Sequence, residues 1–141
     1  MIHFLFALIL TTFTNQPKYA IQITVDNIKT SEGQVIISLY DSEKGFPYEP
    51  EKYFYLPKKS LKDGRAVFTI EIDKPGDYAL TVVDDVNENG DMDKNFVGVP
   101  KEGFAFSKNA KPRGLRPPAF DDAKFSVKSK ETQLKVALRY F

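Results

Sequence analysis

The 141 residues contain no cysteine and no tryptophan, and their only histidine is His3. Without cysteine there is no disulfide framework, no thiol nucleophile and no lipid-modified cysteine. Without an imidazole beyond His3, Ser-His and Cys-His nucleophiles, histidine-ligated metals and the usual base at neutral pH are also excluded. No G-x-S-x-G elbow and no phosphate-cradling glycine loop appear. Charge of one sign is scarce as well: the formal net charge is +1 and becomes zero if Lys18 is removed. No global field therefore favours nucleic acid or an acidic membrane. The apolar run Ile2 to Leu10 is too short to cross a bilayer.

That run, followed by polar Thr11 to Lys18 and the small Ala20, has the order of a secretory leader, although no Lys or Arg precedes it and Lys18 sits unfavourably near the cleavage point. The expected organisation is a signal peptide over residues 1–20 and one domain over residues 21–141, exported to the periplasm or beyond and not membrane-spanning after leader removal. With 42% hydrophobic residues, 12 Phe and 7 Tyr, the remainder has enough apolar material to build a core.

After Ala20 the apolar residues alternate. Ile21, Ile23 and Val25 share one face, as do Val35, Ile37 and Leu39. The same holds for Ala66, Phe68, Ile70 and Ile72, and for Tyr78, Leu80 and Val82. Phe125 and Val127, then Leu134, Val136, Leu138 and Tyr140, complete six strands, with a seventh around Tyr53 to Leu56. Turn formers separate them, as in Lys62-Asp63-Gly64 and Lys74-Pro75-Gly76-Asp77. No stretch of ten residues keeps an apolar stripe at helical spacing. The expected fold class is all-β, an immunoglobulin-like or transthyretin-like antiparallel β-sandwich of about seven strands with one long loop. Pro75-Gly76-Asp77-Tyr78 resembles the tyrosine corner of such sandwiches, a structural device. The aromatic Phe141 is out of phase with Leu134 to Tyr140, which argues against the closing strand of an outer-membrane barrel.

Phe96 to Asp122 breaks the rhythm, with three Gly, four Pro and four Phe in 27 residues. A loop of this length is either a site or a segment packed on its own side chains, here with Phe104, Phe106 and Phe120 capping the sandwich. The basic residues Lys108, Arg113 and Arg116, together with Phe104, Phe106 and Phe120, form the expected partner surface, directed at an envelope or extracellular protein or glycan. Nucleic acid is not expected, given the neutral domain.

Asp85-Val86-Asn87-Glu88-Asn89-Gly90-Asp91-Met92-Asp93 follows the first nine positions of a calcium loop. Side-chain oxygens at positions one, three, five and nine converge as the chain curls around the glycine, and position seven offers its carbonyl. Asp85, Asn87, Asn89, Asp91 and Asp93 are thus the candidate Ca2+ ligands. The twelfth position is Phe96 rather than a bidentate Glu, so completion requires Asp121, Asp122 or water. Affinity is expected at the weak end, roughly 10⁻⁴ to 10⁻³ M. The alternative is a plain hairpin turning at Asn89-Gly90. No catalytic residues are assigned. An enzyme built from Asp84, Asp85, Asp121 and Asp122, acting on glycans with paired carboxylates, is the alternative function. A structural subunit of an envelope assembly is a third.

Taken together, Tyr78-Ala79-Leu80, the acidic loop, Asn95-Phe96-x-Gly98-x-Pro100-x-Glu102-Gly103-Phe104-x-Phe106-Ser107 and Pro118-x-Phe120-Asp121-Asp122-Ala123 resemble the bacterial domain of unknown function 2141 family, over roughly Ile21 to Phe141. The resemblance implies an exported sandwich without an established activity. Relatives often carry Gly in place of Glu88 and His in place of Asp84. It also suggests that the acidic loop, Gly98 to Ser107 and Pro118 to Asp122 meet at one end of the sandwich.

Overall fold

The computed structural model describes residues 18–141. Among these, eight strands form two sheets: β1 Tyr19–Asp26, β2 Gln34–Tyr40, β3 Lys52–Pro57, β4 Ala66–Ile72, β5 Gly76–Asp85, β6 Phe104–Phe106, β7 Phe125–Val127 and β8 Glu131–Ala137. One sheet has the order β4-β1-β8; the other has the order β3-β2-β5-β6, with β7 also paired to β5. The all-β sandwich expected from alternation is what forms.

The expected leader, residues 1–20, lies outside the described residues except for its last three, of which Tyr19 and Ala20 already pair with Ile72 and Glu71 in β1. No helix among the described residues is long and apolar enough to cross a membrane.

Two features depart from the expected layout. Pairing is antiparallel throughout except between β1 and β8, which run parallel, with Ile23 beside Leu134 and Val25 beside Val136. The eighth strand is β6, hidden inside the long irregular stretch. Phe104, Ala105 and Phe106 are all buried, because Ala105 faces the space between the sheets while both phenylalanines face an outer surface that loops cover. A strand buried on both faces shows no polar alternation.

The inner core is mostly aliphatic: Ile21, Ile23 and Val25 of β1 pack against Val35, Ile37, Leu80 and Val82 from the opposite sheet. The inner stripe of β5 is closed by polar groups at both ends. At one end the Tyr78 hydroxyl donates to the Lys74 carbonyl at 2.7 Å, making the tyrosine corner. At the other, Asp84 is fully buried and pairs with buried Lys58 at 2.5 Å. Lys58 also donates to the Thr30 and Glu32 carbonyls, and the Tyr140 hydroxyl donates to Asp84 at 3.1 Å. Burial first, and then the Asp84 charge, push the Tyr140 phenol up to about 12. Lys62-Asp63-Gly64-Arg65 closes a tight turn with positive φ at Asp63 and Gly64 and reciprocal hydrogen bonds between Lys62 and Arg65, the geometry that favours glycine there.

A groove on the outer face of the five-stranded sheet

The register aligns two rows of side chains across the outer face of β3, β2, β5 and β6. One runs Tyr53, Ser38, Thr81, Phe106 and the other Tyr55, Ile36, Val83, Phe104. Around them a second apolar cluster assembles, rich in aromatic rings: Tyr40, Phe46, Phe104, Phe106 and Phe120, with Ala79 and Ala123. Phe46 packs edge-on against Tyr40, Phe106 and Phe120. Phe120 opens the short helix α1, Phe120–Ala123, where the Asp122 carboxylate accepts from the Ala119 N–H and holds Arg113 at 3.1 Å. The Ser107 hydroxyl stitches β5 to this segment, donating to the Ala123 carbonyl and accepting from the Leu80 N–H.

Above this floor lies a groove of about 340 Å³, at the lower end of the roughly 300–1,000 Å³ of small-molecule pockets. Its floor is Ile36, Val83, Phe104 and Phe106. One wall is the acidic loop, through Gly90, Met92 and Lys94, and the other is the Pro112 to Pro117 segment, through Leu115 and Arg116. Tyr48 and Tyr53 stand at the β3 side, 71% and 49% exposed. Burial raises the Tyr40 phenol, opposed by the neighbouring Thr81 and Ser38 hydroxyls.

The acidic loop is organised from its first residue. Asp85 is fully buried; its carboxylate accepts from the Asn89 N–H at 3.2 Å, the Gly90 N–H at 3.0 Å and the Gln34 amide at 2.9 Å. A carboxylate offers about four acceptor positions, so one remains, on Oδ1. Gly90 adopts φ +79, which lets the chain fold back over Asp85. Asn87 and Asn89 both direct their amide N–H groups to Asp93, at 2.8 and 2.7 Å, and the Asn89 side-chain oxygen accepts from the Asp91 N–H. Four of the five candidate ligands, Asp85, Asn87, Asn89 and Asp93, are thus joined in one hydrogen-bond network, with the Asp91 N–H tied into it.

Among the described residues no group of three or more His, Cys, Asp or Glu side chains is arranged to hold a metal. Asp121 and Asp122, expected to complete a calcium site, instead pair with Lys124 and Arg113. The carboxylate packed against the loop is Glu102, 8% exposed and accepting from the Asp93 N–H. Burial raises its pKa first, and the Asp93 and Asp85 charges act in the same direction. Sequence reasoning missed Glu102 because it lies outside the loop spacing.

The expected partner surface divides in two. Phe104, Phe106 and Phe120 are buried, at 5%, 8% and 8% exposure, since the outer sheet face needs apolar cover; only Phe104 and Phe106 reach the groove, as its floor. Lys108, Arg113 and Arg116 are exposed, and of these Arg116 lines the groove. Of the segments expected to meet, the acidic loop and Gly98 to Ser107 both border the groove, while Pro118 to Asp122 contributes Phe120 to the aromatic cluster beneath it and does not line it.

Sandwich, outer groove and acidic loop together define a β-sandwich domain with a small-molecule-sized cleft. A family model described as "Uncharacterized protein conserved in bacteria (DUF2141)" matches residues 23–135, and the chain belongs to that family. No curated protein and no solved structure matches it.

Proposed function

We propose that the chain is an exported, non-enzymatic binding module whose ligand docks in the outer groove. The observation that carries this reading is a preformed cleft with a largely apolar floor, walled by two loops, in which Asp91 is the one acidic side chain among the described lining residues. Paired-acid hydrolysis needs two carboxyl groups facing one cleft. Asp84 faces Lys58, and Asp85 is spent on the loop. Export is supported by the leader-like order of residues 1–20. The test is a small-ligand titration followed by amide NMR. Binding should shift Ile36, Ser38, Thr81 and Val83, and Thr81→Trp, which fills the groove, should abolish the shifts. Ligands that shift the opposite sheet, or that ignore Thr81→Trp, overturn the reading.

A second reading concerns the acidic loop and is favoured by Asn87 and Asn89 converging on Asp93. Rotating the two amides turns their oxygens toward the point Asp93 faces, where Ca2+ would meet Asp85, Asn87, Asn89, the Asp91 carbonyl and Asp93. Only two of those ligands are charged, in keeping with weak affinity. Glu102 is the nearby acid whose repulsion a cation relieves. Bound Ca2+ would stiffen one wall of the groove. Thermal unfolding in chelator and in millimolar calcium, with magnesium as control, should show a calcium-specific rise that Asp93→Ala removes. Equal melting in all three conditions assigns the loop to its own hydrogen bonds.

A further inference from the structure

We propose that the groove takes an amphiphilic anion, a small molecule with an apolar body and a single carboxylate or similar anionic head. The proposal rests on the groove reading and adds the chemistry of the occupant. The part of the floor formed by Ile36, Val83, Phe104 and Phe106 is apolar, so most of the body that covers it must be apolar. The two walls each contribute one cation to the lining, Lys94 from the acidic-loop side and Arg116 from the facing loop. Among the described residues neither belongs to an ion pair, whereas neighbouring Arg113 is taken by Asp122.

Charge on the loop facing the acidic wall points the same way. The stretch Lys108 to Arg116 carries Lys108, Lys111, Arg113 and Arg116 and no acid, and among the described lining residues Asp91 is the lone acidic side chain beside two basic ones. A cationic head beside Lys94 and Arg116 would be repelled, and a neutral one would gain nothing from their charge. An anionic head gains charge-assisted hydrogen bonds from the Arg116 guanidinium or the Lys94 ammonium, whichever wall it meets. The volume of about 340 Å³ limits the occupant to a small molecule. The Ser38 and Thr81 hydroxyls, neighbours across the β2–β5 ladder, give polar footing partway along the floor.

Three probes with the same eight-carbon tail separate body from head: octanoate, octanol and octylammonium, each titrated below its micellar concentration by calorimetry and amide NMR. Octanoate should bind about tenfold tighter than either of the others, with shifts on the amides of Ile36, Thr81 and Val83. Its advantage should shrink with added salt. Lys94→Gln with Arg116→Gln, both on exposed side chains, should bring octanoate down to the level of octanol while leaving octanol binding and the melting temperature unchanged. Equal binding of the three probes at the groove overturns the anionic head and leaves the groove reading standing. Failure of every probe to shift groove amides overturns this inference. The groove reading then falls only if hits from the wider titration also ignore Thr81→Trp.

Discussion

The protein has two apolar clusters on opposite faces of the same sheet. Between the sheets, Ile, Val and Leu interlock and are closed off by Tyr78 at one end and the Asp84, Lys58 and Tyr140 group at the other. On the outer face, aromatic rings from β2, β6, α1 and the loop at Phe46 cover the sheet only in part and leave a groove. A sealed core places every truncated atom in a void, whereas a core with an open side lets neighbours and water fill what is removed. The inner cluster therefore carries stability, and the outer one has freedom to be a site.

The largest test of that contrast is Lys58→Ala. It leaves the Asp84 carboxylate buried without its counter-ion, and a loss of about 3–5 kcal/mol is expected in urea unfolding. The double variant Lys58→Met with Asp84→Leu should recover most of it. Next, Leu80→Ala in the sealed core should cost about 3–4 kcal/mol and Phe120→Ala in the open cluster about 2 kcal/mol. Equal losses would mean that the outer cluster is as closed as the inner. Tyr78→Phe, which removes only the corner hydroxyl, should cost about 1 kcal/mol.

The smallest effect concerns acid. The Arg65 guanidinium, 2.5 Å from Asp26, and then Lys135 hold the Asp26 carboxyl below its ordinary 3.8. A depressed folded pKa gives stability that is present above the unfolded value and lost as pH falls through the folded one. Urea midpoints followed from pH 6 to pH 3 should therefore decline slightly less in Asp26→Asn than in the parent. An identical decline would show that this exposed trio contributes nothing.

The same contrast governs how much the sequence revealed. Alternation exposed the strands that have one face in the aliphatic core, and Pro75-Gly76-Asp77-Tyr78 announced a corner whose hydrogen bond is present. The outer cluster was legible in part: Phe104, Phe106 and Phe120 do pack over the sandwich, as one of the two readings of the long loop had it, whereas Phe46 joins them from a distant loop and its burial has no local period. The acidic loop was legible as a spacing, and its oxygens and amides do converge. What spacing could not show is that Asp85 spends most of its acceptors on its own loop, or that Glu102 is the nearest acid. Asp84 gave no sign that it would sit opposite Lys58, since an ion pair across 26 residues leaves no pattern. Arg116 was found by composition, while its neighbour across the groove, Lys94, was hidden inside the motif.

The parallel ladder of β1 and β8 has a bearing on how the chain is made. Asn27 bonds to the Leu138 carbonyl across 111 residues, and β1 is the middle strand of its sheet. A nascent chain emerging amino terminus first can form β1 and β4 as a pair, but one edge of that pair stays uncovered until β8 has been made. Loop closure over such a span is entropically costly and slows folding. The three-stranded sheet is thus completed only when β8 arrives, and until then β1 keeps one edge unpaired.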